Sequence, residues 1–339
     1  MTSAVLIDNL KKSYGSVEAV KGVSFKVEKG EIFGLLGPNG AGKTTTIRCL
    51  TTLAKPDTGS IEVGGISAIA NPRAARRQLG YVAQEVALDK MLTGRELLQL
   101  QAALYHLKGN TIKERIDQLL SLLELEKYAE QKTGTYSGGL RKRLDIAAGL
   151  LHHPEVLVLD EPSVGLDIES RFILWDFLRK LREAGTTVVI TSHYLEEIDA
   201  LADRLAIIDQ GVIIAEGTPS QLKDRVGGDR ITLRLREFAP QEEAEQAKNK
   251  LKSLPFVEEI IINSAQGNSL NLIVTPQSNP ISAIEQSLET MGLPMFSISQ
   301  SRPSLDDVYL AATGRTLTDA ELAAAGTRDL KAEKKQEMK

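Results

Sequence analysis

The sequence predicts an α/β protein in which a mostly parallel sheet is followed by a smaller α+β domain. Three observations carry this prediction. Short β-branched and leucine-rich runs alternate with helical patterns up to about residue 220, one purely helical stretch interrupts them, and the pattern changes after about residue 225. Alternating strands and helices favour a parallel sheet with crossover helices. A length of 339 residues is consistent with about two domains.

The first predicted domain covers residues 1–225 and contains two kinds of strand. Uniformly apolar runs predict a parallel core, because its strands are buried on both faces. These runs are 32–37, 156–160, 188–192 and 204–209. The opening segments AVLIDNLKKSYG, GVSFKVEKGE and GSIEVGGI alternate apolar with polar residues, which predicts an antiparallel β subdomain beside the parallel core.

A helical subdomain is predicted inside the first domain, at about residues 86–150. The segments TGRELLQLQAALYHL and TIKERIDQLLSLLEL carry helical periodicity. A further helix is expected to begin after Ser137. An all-helical insert of this kind within an α/β domain indicates a separate subdomain.

The second predicted domain covers residues 228–314, after a break at GGDR. Its strand and helix patterns follow the order βαββαβ, which is that of the ferredoxin-like split βαβ arrangement. The strands are 231–236, 257–264, 271–275 and 295–301, and the helices are 240–254 and 281–291. A last helix, SLDDVYLAATG, closes the domain. Residues 315–339 are charged and lack aromatics, which predicts a flexible tail.

Composition narrows the class of protein. Forty-one basic and 45 acidic side chains give a net charge of -4, so no global positive field attracts nucleic acid, and no nucleic-acid partner is expected. The single cysteine, Cys49, suits a reducing compartment and is expected to be a small buried hydrophobe. The sequence predicts neither a bilayer-spanning segment nor a signal peptide. If the protein serves a membrane, we expect it to act from the cytoplasmic side through a partner.

The strongest local signal is GPNGAGKTT, which lies between an apolar run and a helical pattern. It fits G-x-x-x-x-G-K-[ST], in which glycines let backbone N–H groups surround phosphate oxygens at a helix N-terminus. Lys43 is expected to reach the β- and γ-phosphates, and the Thr44 hydroxyl is expected to ligate Mg²⁺. A glycine-rich turn with a chance lysine is the structural alternative. The predicted nucleotide contacts in this segment are Gly37, Asn39, Gly40, Gly42, Lys43, Thr44 and Thr45.

Two carboxylates follow the apolar run VLVL. Asp160 falls at the carboxyl end of a predicted strand, where open α/β sheets bind ligands, and it is expected to hold Mg²⁺ directly or through water. Glu161 can polarise an attacking water if it stays ionised. Strands commonly end in solvated carboxylates, so Asp160 and Glu161 alone would not indicate a functional site. The upstream phosphate loop is what favours a functional role for this pair.

Three more polar residues end or follow strand-like runs: Gln84, Asp167 and His193. Each is either a functional residue or an ordinary loop or capping residue. The His193 ring could donate a hydrogen bond to a phosphate oxygen.

A second anion-binding turn is predicted in YSGGLRKRLDIAAGLLHHP. Ser137 can cap a helix, while Gly138 and Gly139 leave N–H groups uncovered. This turn has no lysine-bearing loop of its own, which implies that it serves a nucleotide bound elsewhere. An ordinary capped helix is the alternative.

These motifs together resemble the nucleotide-binding domain of ABC transporters. GPNGAGKTT, Gln84, YSGGL, VLVLDEP, SVGLD and His193 occur in that family's order over residues 1–220. The resemblance implies an ABC-type P-loop NTPase fold, with ATP and Mg²⁺ as ligands. It also implies a head-to-tail dimer, in which ATP lies between one subunit's phosphate loop and the other's Ser-Gly-Gly turn.

The resemblance also implies a role for each matching residue. The implied catalytic residues are Lys43, Gln84, Glu161 and His193; the implied Mg²⁺ ligands are Thr44, Gln84 and Asp160; the further nucleotide contacts are Tyr14, Ser137, Gly138, Gly139 and Asp167. Tyr14 falls where the family's adenine-stacking aromatic lies, and such stacking contributes roughly 1 to 3 kcal/mol. Tyr14 could equally be a surface residue of an amphipathic strand.

The signature reads YSGGL where the general family pattern is LSGGQ, so Leu140 is not assigned a phosphate contact. YSGG, TSHYLEE and PSLDDVYLAATG resemble the drug-resistance, daunorubicin-type branch of bacterial exporters. That branch implies a second ATPase subunit and an integral-membrane permease as partners, on the cytoplasmic face of the cell membrane. It also implies export of a drug-like or lipid-like compound. An importer ATPase, or a soluble ABC ATPase acting on ribosomes or DNA, is the alternative.

Overall fold

The computed structural model describes residues 3–107, 109, 111–275 and 279–325. The chain forms two compact units, Met1–Ile213 and Ile214–Lys339. This division lies before the helix Pro219–Val226, whereas the sequence places that helix in the first domain. The physical reason is that this helix packs against the helix Leu305–Thr313 of the second unit.

The first unit contains the following elements. Its strands are β1 (Ser3–Tyr14), β2 (Val17–Glu28), β3 (Ile32–Leu36), β4 (Thr58–Val63), β5 (Ile66–Ser67), β6 (Leu79–Val82), β7 (Val156–Asp160), β8 (Thr187–Ser192) and β9 (Arg204–Asp209), and β10 (Val212–Gly217) crosses the boundary. Its helices are α1 (Lys43–Leu50), α2 (Pro72–Arg77), α3 (Gly94–Leu104), α4 (Thr111–Leu122), α5 (Gly138–Leu150), α6 (Ile168–Glu183) and α7 (Leu195–Leu201).

A six-stranded sheet forms the centre of the first unit, in the order β10-β9-β3-β8-β7-β6. The pairs β3/β8, β3/β9, β6/β7 and β7/β8 are parallel. Every residue of β3, β7 and β8 is buried, which is why apolar residues dominate these strands in the sequence. The predicted mostly parallel core is therefore confirmed.

The predicted antiparallel subdomain is also present. Its sheet has the order β2-β1-β4-β5, and each neighbouring pair is antiparallel. Apolar residues from these strands, including Ile7, Phe25 and Ile61, join the same buried cluster as Phe33 of β3. Cys49 is buried there as expected, and burial raises the pKa of its thiol to about 11.

The helical subdomain contains α3, α4 and α5. A capping box between Thr93 and Glu96 begins α3, and Ser137 caps α5. Single 3₁₀ turns at Glu126–Tyr128 and Thr133–Thr135 lie between α4 and α5. In the part of the chain that the structure describes, no helix has both the length and the apolar character required to cross a bilayer.

The second unit contains helices α8 (Pro219–Val226), α9 (Gln241–Leu251), α10 (Pro280–Glu289) and α11 (Leu305–Thr313), and strands β11 (Asp229–Arg234), β12 (Val257–Asn263), β13 (Ser269–Val274) and β14 (Ser297–Ser301). The sheet order is β12-β13-β11-β14, with antiparallel neighbours throughout. The elements from β11 to β14 follow the order βαββαβ, as predicted for a ferredoxin-like arrangement.

The first part of the predicted flexible tail is ordered. Residues 317–325 are helical, and Thr316, Leu317, Asp319 and Ala320 are buried. The Asp319 carboxylate accepts hydrogen bonds from the Asn263 amide at 2.7 Å and from the Thr316 backbone N–H at 3.0 Å. These contacts hold the segment, so the prediction is wrong for residues 315–325. Residues 326–339 lie outside the described residues.

Candidate active site

The phosphate loop, Asp160, Glu161 and His193 are brought to one edge of the central sheet. Strands β3, β7 and β8 run parallel, with Leu36 opposite Ser192 and Asp160 opposite Thr191. Their carboxyl ends therefore deliver the phosphate loop (residues 37–45), the Asp160–Glu161 pair and His193 to the same place. This is the edge at which open α/β sheets bind ligands.

The phosphate loop has a shape that its glycines make possible. A Cβ at Gly37 would lie 2.2 Å from the Ile208 carbonyl oxygen, and one at Gly42 would lie 2.6 Å from the Ala19 carbonyl oxygen. Gly42 also has φ of 110°, which L side chains rarely adopt. Gly40 and Thr44 are exposed, and Asn39 and Thr45 are half-buried, so the outer face of the loop is open to a ligand.

A buried ion pair lies behind this loop. Lys43 Nζ lies 3.1 Å from Glu161 Oε1, and each side chain is only 4% exposed. The same ammonium donates to the carbonyl oxygens of Gly37 at 2.7 Å and Pro38 at 3.2 Å. Lys43 is thus held within reach of both the loop and the carboxylate.

Glu161 is the centre of the cluster. Its Oε2 accepts a hydrogen bond from Gln84 Nε2 at 3.1 Å and lies 3.2 Å from His193 Nδ1. Burial acts to raise the pKa of Glu161, but His193 and Lys43 together outweigh burial and lower this pKa. Glu161 is therefore ionised at neutral pH, as a proton acceptor must be.

The backbone of Glu161 is also unusual. Its φ is 46°, a conformation that costs free energy in a residue with a side chain and that clusters at functional sites. Its N–H donates to both the carbonyl oxygen and the hydroxyl of Thr191, at 3.2 and 2.9 Å. Thr191 therefore holds the strained turn in place.

Asp160 lies beside the helix that follows the phosphate loop. Its Oδ1 accepts hydrogen bonds from the Thr191 hydroxyl at 2.5 Å and from the Thr44 hydroxyl at 3.4 Å. Burial raises its pKa, and this effect outweighs the hydroxyl hydrogen bonds that lower it. A bound cation would favour the charged form, because nearby positive charge stabilises a carboxylate.

The Ser-Gly-Gly turn (residues 137–139) begins helix α5, as expected. Ser137 caps this helix by accepting from the Leu140 N–H at 3.2 Å. Ser137 and Gly138 are exposed, whereas a Cβ at Gly139 would lie 2.4 Å from Ser170 Oγ. Gly139 thus allows α6 to approach the turn closely.

Tyr136, the first residue of YSGGL, has a structural role. It is 4% exposed, and its hydroxyl donates to the Tyr128 carbonyl oxygen at 2.6 Å. A Cβ at Gly94 would lie 2.4 Å from that hydroxyl, so the start of α3 packs directly on the ring. The tyrosine fixes the segment before the turn.

Asp167 and Tyr14 do not join the cluster around Glu161. The Asp167 carboxylate caps α6, accepting from the Ser170 N–H at 2.7 Å and the Ser170 hydroxyl at 3.1 Å, and the first of these lowers its pKa. The capping alternative therefore describes Asp167 in this structure. Tyr14 lies at the end of β1, 47% exposed, with the Lys12 ammonium 5.4 Å from its ring centroid.

Sequence reasoning missed a buried network that holds His193. Glu197 of α7 is 1% exposed and accepts hydrogen bonds from the Ser192 hydroxyl at 2.6 Å and the Trp175 indole at 3.3 Å. Ser192 Oγ in turn accepts from the Tyr194 N–H at 2.9 Å. The network thus fixes the residues on both sides of His193. The sequence signal for this network is Glu197, which lies five residues after Ser192 in the first turn of a helix.

Comparisons with known proteins agree with this geometry. Residues 20–164 match a family model described as ABC transporter. The chain is 41% identical to the daunorubicin resistance ATP-binding protein DrrA3 of Streptomyces coeruleorubidus, over 92% of this chain and 96% of that protein. It is 38% identical to the linearmycin resistance ATP-binding protein LnrL of Bacillus subtilis, over 92% of this chain and 99% of that protein.

Two solved structures show the same fold. One is an ATP-binding subunit of an ABC transporter, with a TM-score of 0.61 and 28% identity over 67% of this chain and 94% of that chain. Another is the dimeric post-hydrolysis state of the ATP-binding cassette MJ0796 bound to ADP and Pi, with a TM-score of 0.57 and 27% identity over 63% of this chain and 98% of that chain. With a complete phosphate loop and an ionised buried glutamate behind it, the chain belongs to the ABC transporter family, among its ATP-hydrolysing, ATP-binding subunits.

Proposed function

We propose that this chain hydrolyses Mg²⁺-ATP at the Lys43–Glu161 site to drive export through a separate membrane permease. The observation that carries the proposal is the buried ion pair between Lys43 and Glu161, at 3.1 Å. A phosphate-binding cation and a proton acceptor already lie together at the carboxyl edge of the sheet. Hydrolysis of a phosphoanhydride is favoured by a cation on the phosphate oxygens and a proton acceptor near the attacking water.

The donor set fits ATP and Mg²⁺. Gly37 and Gly42 let the loop pack closely against the backbone of Ile208 and Ala19, and the loop leads into the N-terminus of α1, where backbone N–H donors suit phosphate oxygens. Mg²⁺ prefers oxygen ligands, and Thr44, Asp160 and Gln84 would supply a hydroxyl, a carboxylate and an amide oxygen. When bound, the cation would neutralise charge on the transferring phosphoryl group.

The residues around the γ-phosphate have separate tasks. Lys43 would exchange its contact with Glu161 for the β- and γ-phosphate oxygens. Glu161 would then be free to accept a proton from the attacking water, whose oxygen forms the new bond to phosphorus as the bond to ADP breaks. His193 would hold that carboxylate and donate to a phosphate oxygen, and Gln84 would orient the water.

We propose a sandwich dimer in which the Ser-Gly-Gly turn serves the ATP of a second copy or a related subunit. Ser137 and Gly138 are exposed and stand at the N-terminus of α5, which favours an anion. Asp167 would act on this turn through Ser170. The Ser170 hydroxyl donates to the Asp167 carboxylate and lies against Gly139. Tyr14 is exposed enough to stack on the adenine.

The partner and cargo are proposed from the relatives. The names of two of them refer to daunorubicin and linearmycin resistance, so a drug-like or lipid-like compound is the cargo class that we propose. The permease would recognise that compound in the membrane. This chain would bind the permease on the cytoplasmic face and transmit the state of the nucleotide through Gln84 and the helical subdomain.

Two measurements test this function. Purified protein should release phosphate from ATP in the presence of Mg²⁺, and the release should stop when EDTA removes the Mg²⁺. Tagged protein from a detergent extract of membranes should retain a multi-span membrane protein. Absence of Mg²⁺-dependent hydrolysis would contradict the catalytic site. Recovery with ribosomes or DNA in place of a permease would contradict the transport role.

A further inference from the structure

A buried lysine connects the helix that bears the Ser-Gly-Gly turn to the residue that contacts Glu161. Lys142 lies on α5 and is 2% exposed. Its Nζ donates to the carbonyl oxygen of Ala83 at 2.8 Å and to that of Gln84 at 3.3 Å. Both acceptors lie just beyond the end of β6, where the sheet no longer pairs them.

Burial of this charge has a physical cost. Desolvation lowers the pKa of Lys142, because the charged form loses its hydration. An apolar side chain at this position would avoid that cost but would remove the donor from two backbone acceptors. The ammonium therefore has a specific task, which is to hold the backbone of residues 83 and 84.

The contact continues an unusually close approach between α5 and β6. A Cβ at Gly80 of β6 would lie 2.3 Å from the Gly149 carbonyl oxygen of α5. Lys142 precedes Gly149 by two helical turns. Helix α5 is thus joined to β6 by backbone contact near one end and by the Lys142 ammonium near the other.

The same backbone carries the side chain that reaches Glu161. Gln84 Nε2 donates to Glu161 Oε2 at 3.1 Å, while the Gln84 carbonyl oxygen accepts from Lys142. A movement of α5 must therefore move the backbone from which the Gln84 amide extends. The hydrogen bonds run from α5 through Lys142 and Gln84 to the proposed proton acceptor.

We propose that Lys142 is a positioning residue for hydrolysis, which sets the Gln84 amide relative to Glu161 according to the position of α5. This inference rests on the proposed function, since it requires Glu161 to accept the proton. Among the described residues, the hydrogen bonds of the Lys142 ammonium go to the backbone of residues 83 and 84 and not to the phosphate loop. Its loss should consequently change the rate of the chemical step more than the affinity for ATP.

The test is a double-mutant cycle on the purified full-length protein. Lys142→Met should lower kcat by roughly 10- to 100-fold, the scale expected when a catalytic contact is misplaced by about 1 Å, and should change KM for ATP by less than about twofold. Because Lys142 acts through Gln84, the same substitution in a Gln84→Ala background should lower kcat by less than about twofold. Lys113→Met, which removes an exposed lysine from α4, is the matched control and should leave kcat unchanged.

Several outcomes would overturn the inference. An equal loss of kcat in both backgrounds would show that Lys142 does not act through Gln84, and an unchanged kcat with a lower melting temperature would show a structural role only. If Lys142→Met does not fold, Lys142→Gln, whose shorter side chain withdraws the donor from the two carbonyl oxygens but remains polar, carries the same cycle. Failure of wild-type protein to hydrolyse ATP would contradict the proposed function instead.

Discussion

Replacement of Glu161 by glutamine tests whether one carboxylate both accepts the proton and holds Lys43 before ATP binds. The variant keeps the volume of the side chain, removes its charge and replaces one acceptor oxygen with an amide donor. In the structure that charge pairs with Lys43 at 3.1 Å, and both groups are 4% exposed. Glu161→Gln should therefore alter hydrolysis and ATP affinity in opposite directions.

The magnitudes follow from these contacts. Loss of a general base should lower the turnover rate by about 10² to 10⁴. Lys43 loses its ionic partner in the variant but keeps a charge-assisted hydrogen bond to the amide oxygen. Since hydrogen bonds that involve charged groups contribute about 1.5–3 kcal/mol, we expect the variant to release Lys43 with about 1–1.5 kcal/mol less work. Because ATP must compete for that ammonium, its dissociation constant should fall by roughly 5- to 10-fold.

The assay pairs phosphate release with titration of a fluorescent ATP analogue. The titration should be made in a Ser137→Arg background, where a sandwich dimer cannot add to the apparent affinity. Glu196→Gln makes the same chemical change at an exposed residue of α7 and serves as the matched control. Turnover within tenfold of wild type would refute Glu161 as the base, and an unchanged or weaker affinity would refute competition for Lys43.

Two further predictions concern α5. Ser137→Arg should abolish hydrolysis while its own chain still binds the fluorescent ATP analogue, since the turn serves the partner's nucleotide; equal loss of both in a monomeric preparation would contradict the sandwich. Burial raises the pKa of Asp145 to about 6, so this carboxyl binds its proton more tightly in the folded state than in the unfolded chain. Its ionisation at neutral pH therefore lowers the free energy of unfolding. Asp145→Asn should therefore raise the free energy of unfolding by about 1–2 kcal/mol at pH 7.5, and this gain should vanish as the pH falls to about 4. Denaturant unfolding at both pH values measures it, and a gain that persists at pH 4 would contradict the titration.

The strands that build the site are readable from the sequence because their environment is uniform. Strands β3, β7 and β8 are buried along their whole length, so apolar residues dominate until each strand ends. The change from VLVL to Asp160 and Glu161 therefore marks the carboxyl edge directly. Motifs that follow such a change can be assigned to that edge of the sheet from the local pattern of apolar and polar residues.

Residues that act through packing give no comparable signal. Thr191 resembles any other β-branched strand residue, yet its hydroxyl and carbonyl hold both Asp160 and Glu161. Lys142 resembles a lysine on the solvated face of a helix, yet it is buried and donates to the backbone that follows β6. Both roles depend on which helices and strands pack against each other. The local pattern of apolar and polar residues does not encode that packing.

The wrong prediction for residues 315–325 has the same origin. Charge and the absence of aromatics predict disorder, but Thr316 and Asp319 cap the start of a helix, and Asn263 lies where it can donate to Asp319. That partner is 56 residues away in the sequence. A polar segment can be ordered by a single buried acceptor when a distant strand supplies the donor.

The buried Arg230 of β11 has a consequence for the order in which the second unit is completed during synthesis. Its guanidinium is 2% exposed and lies 2.7 Å from the carboxylate of Asp307 on α11, 77 residues further along the chain. At about 5–20 residues per second, roughly 4–15 s pass between translation of the two residues. During that interval the sheet cannot bury its charged residue at low cost, so the nascent unit stays open on one face until α11 has been translated.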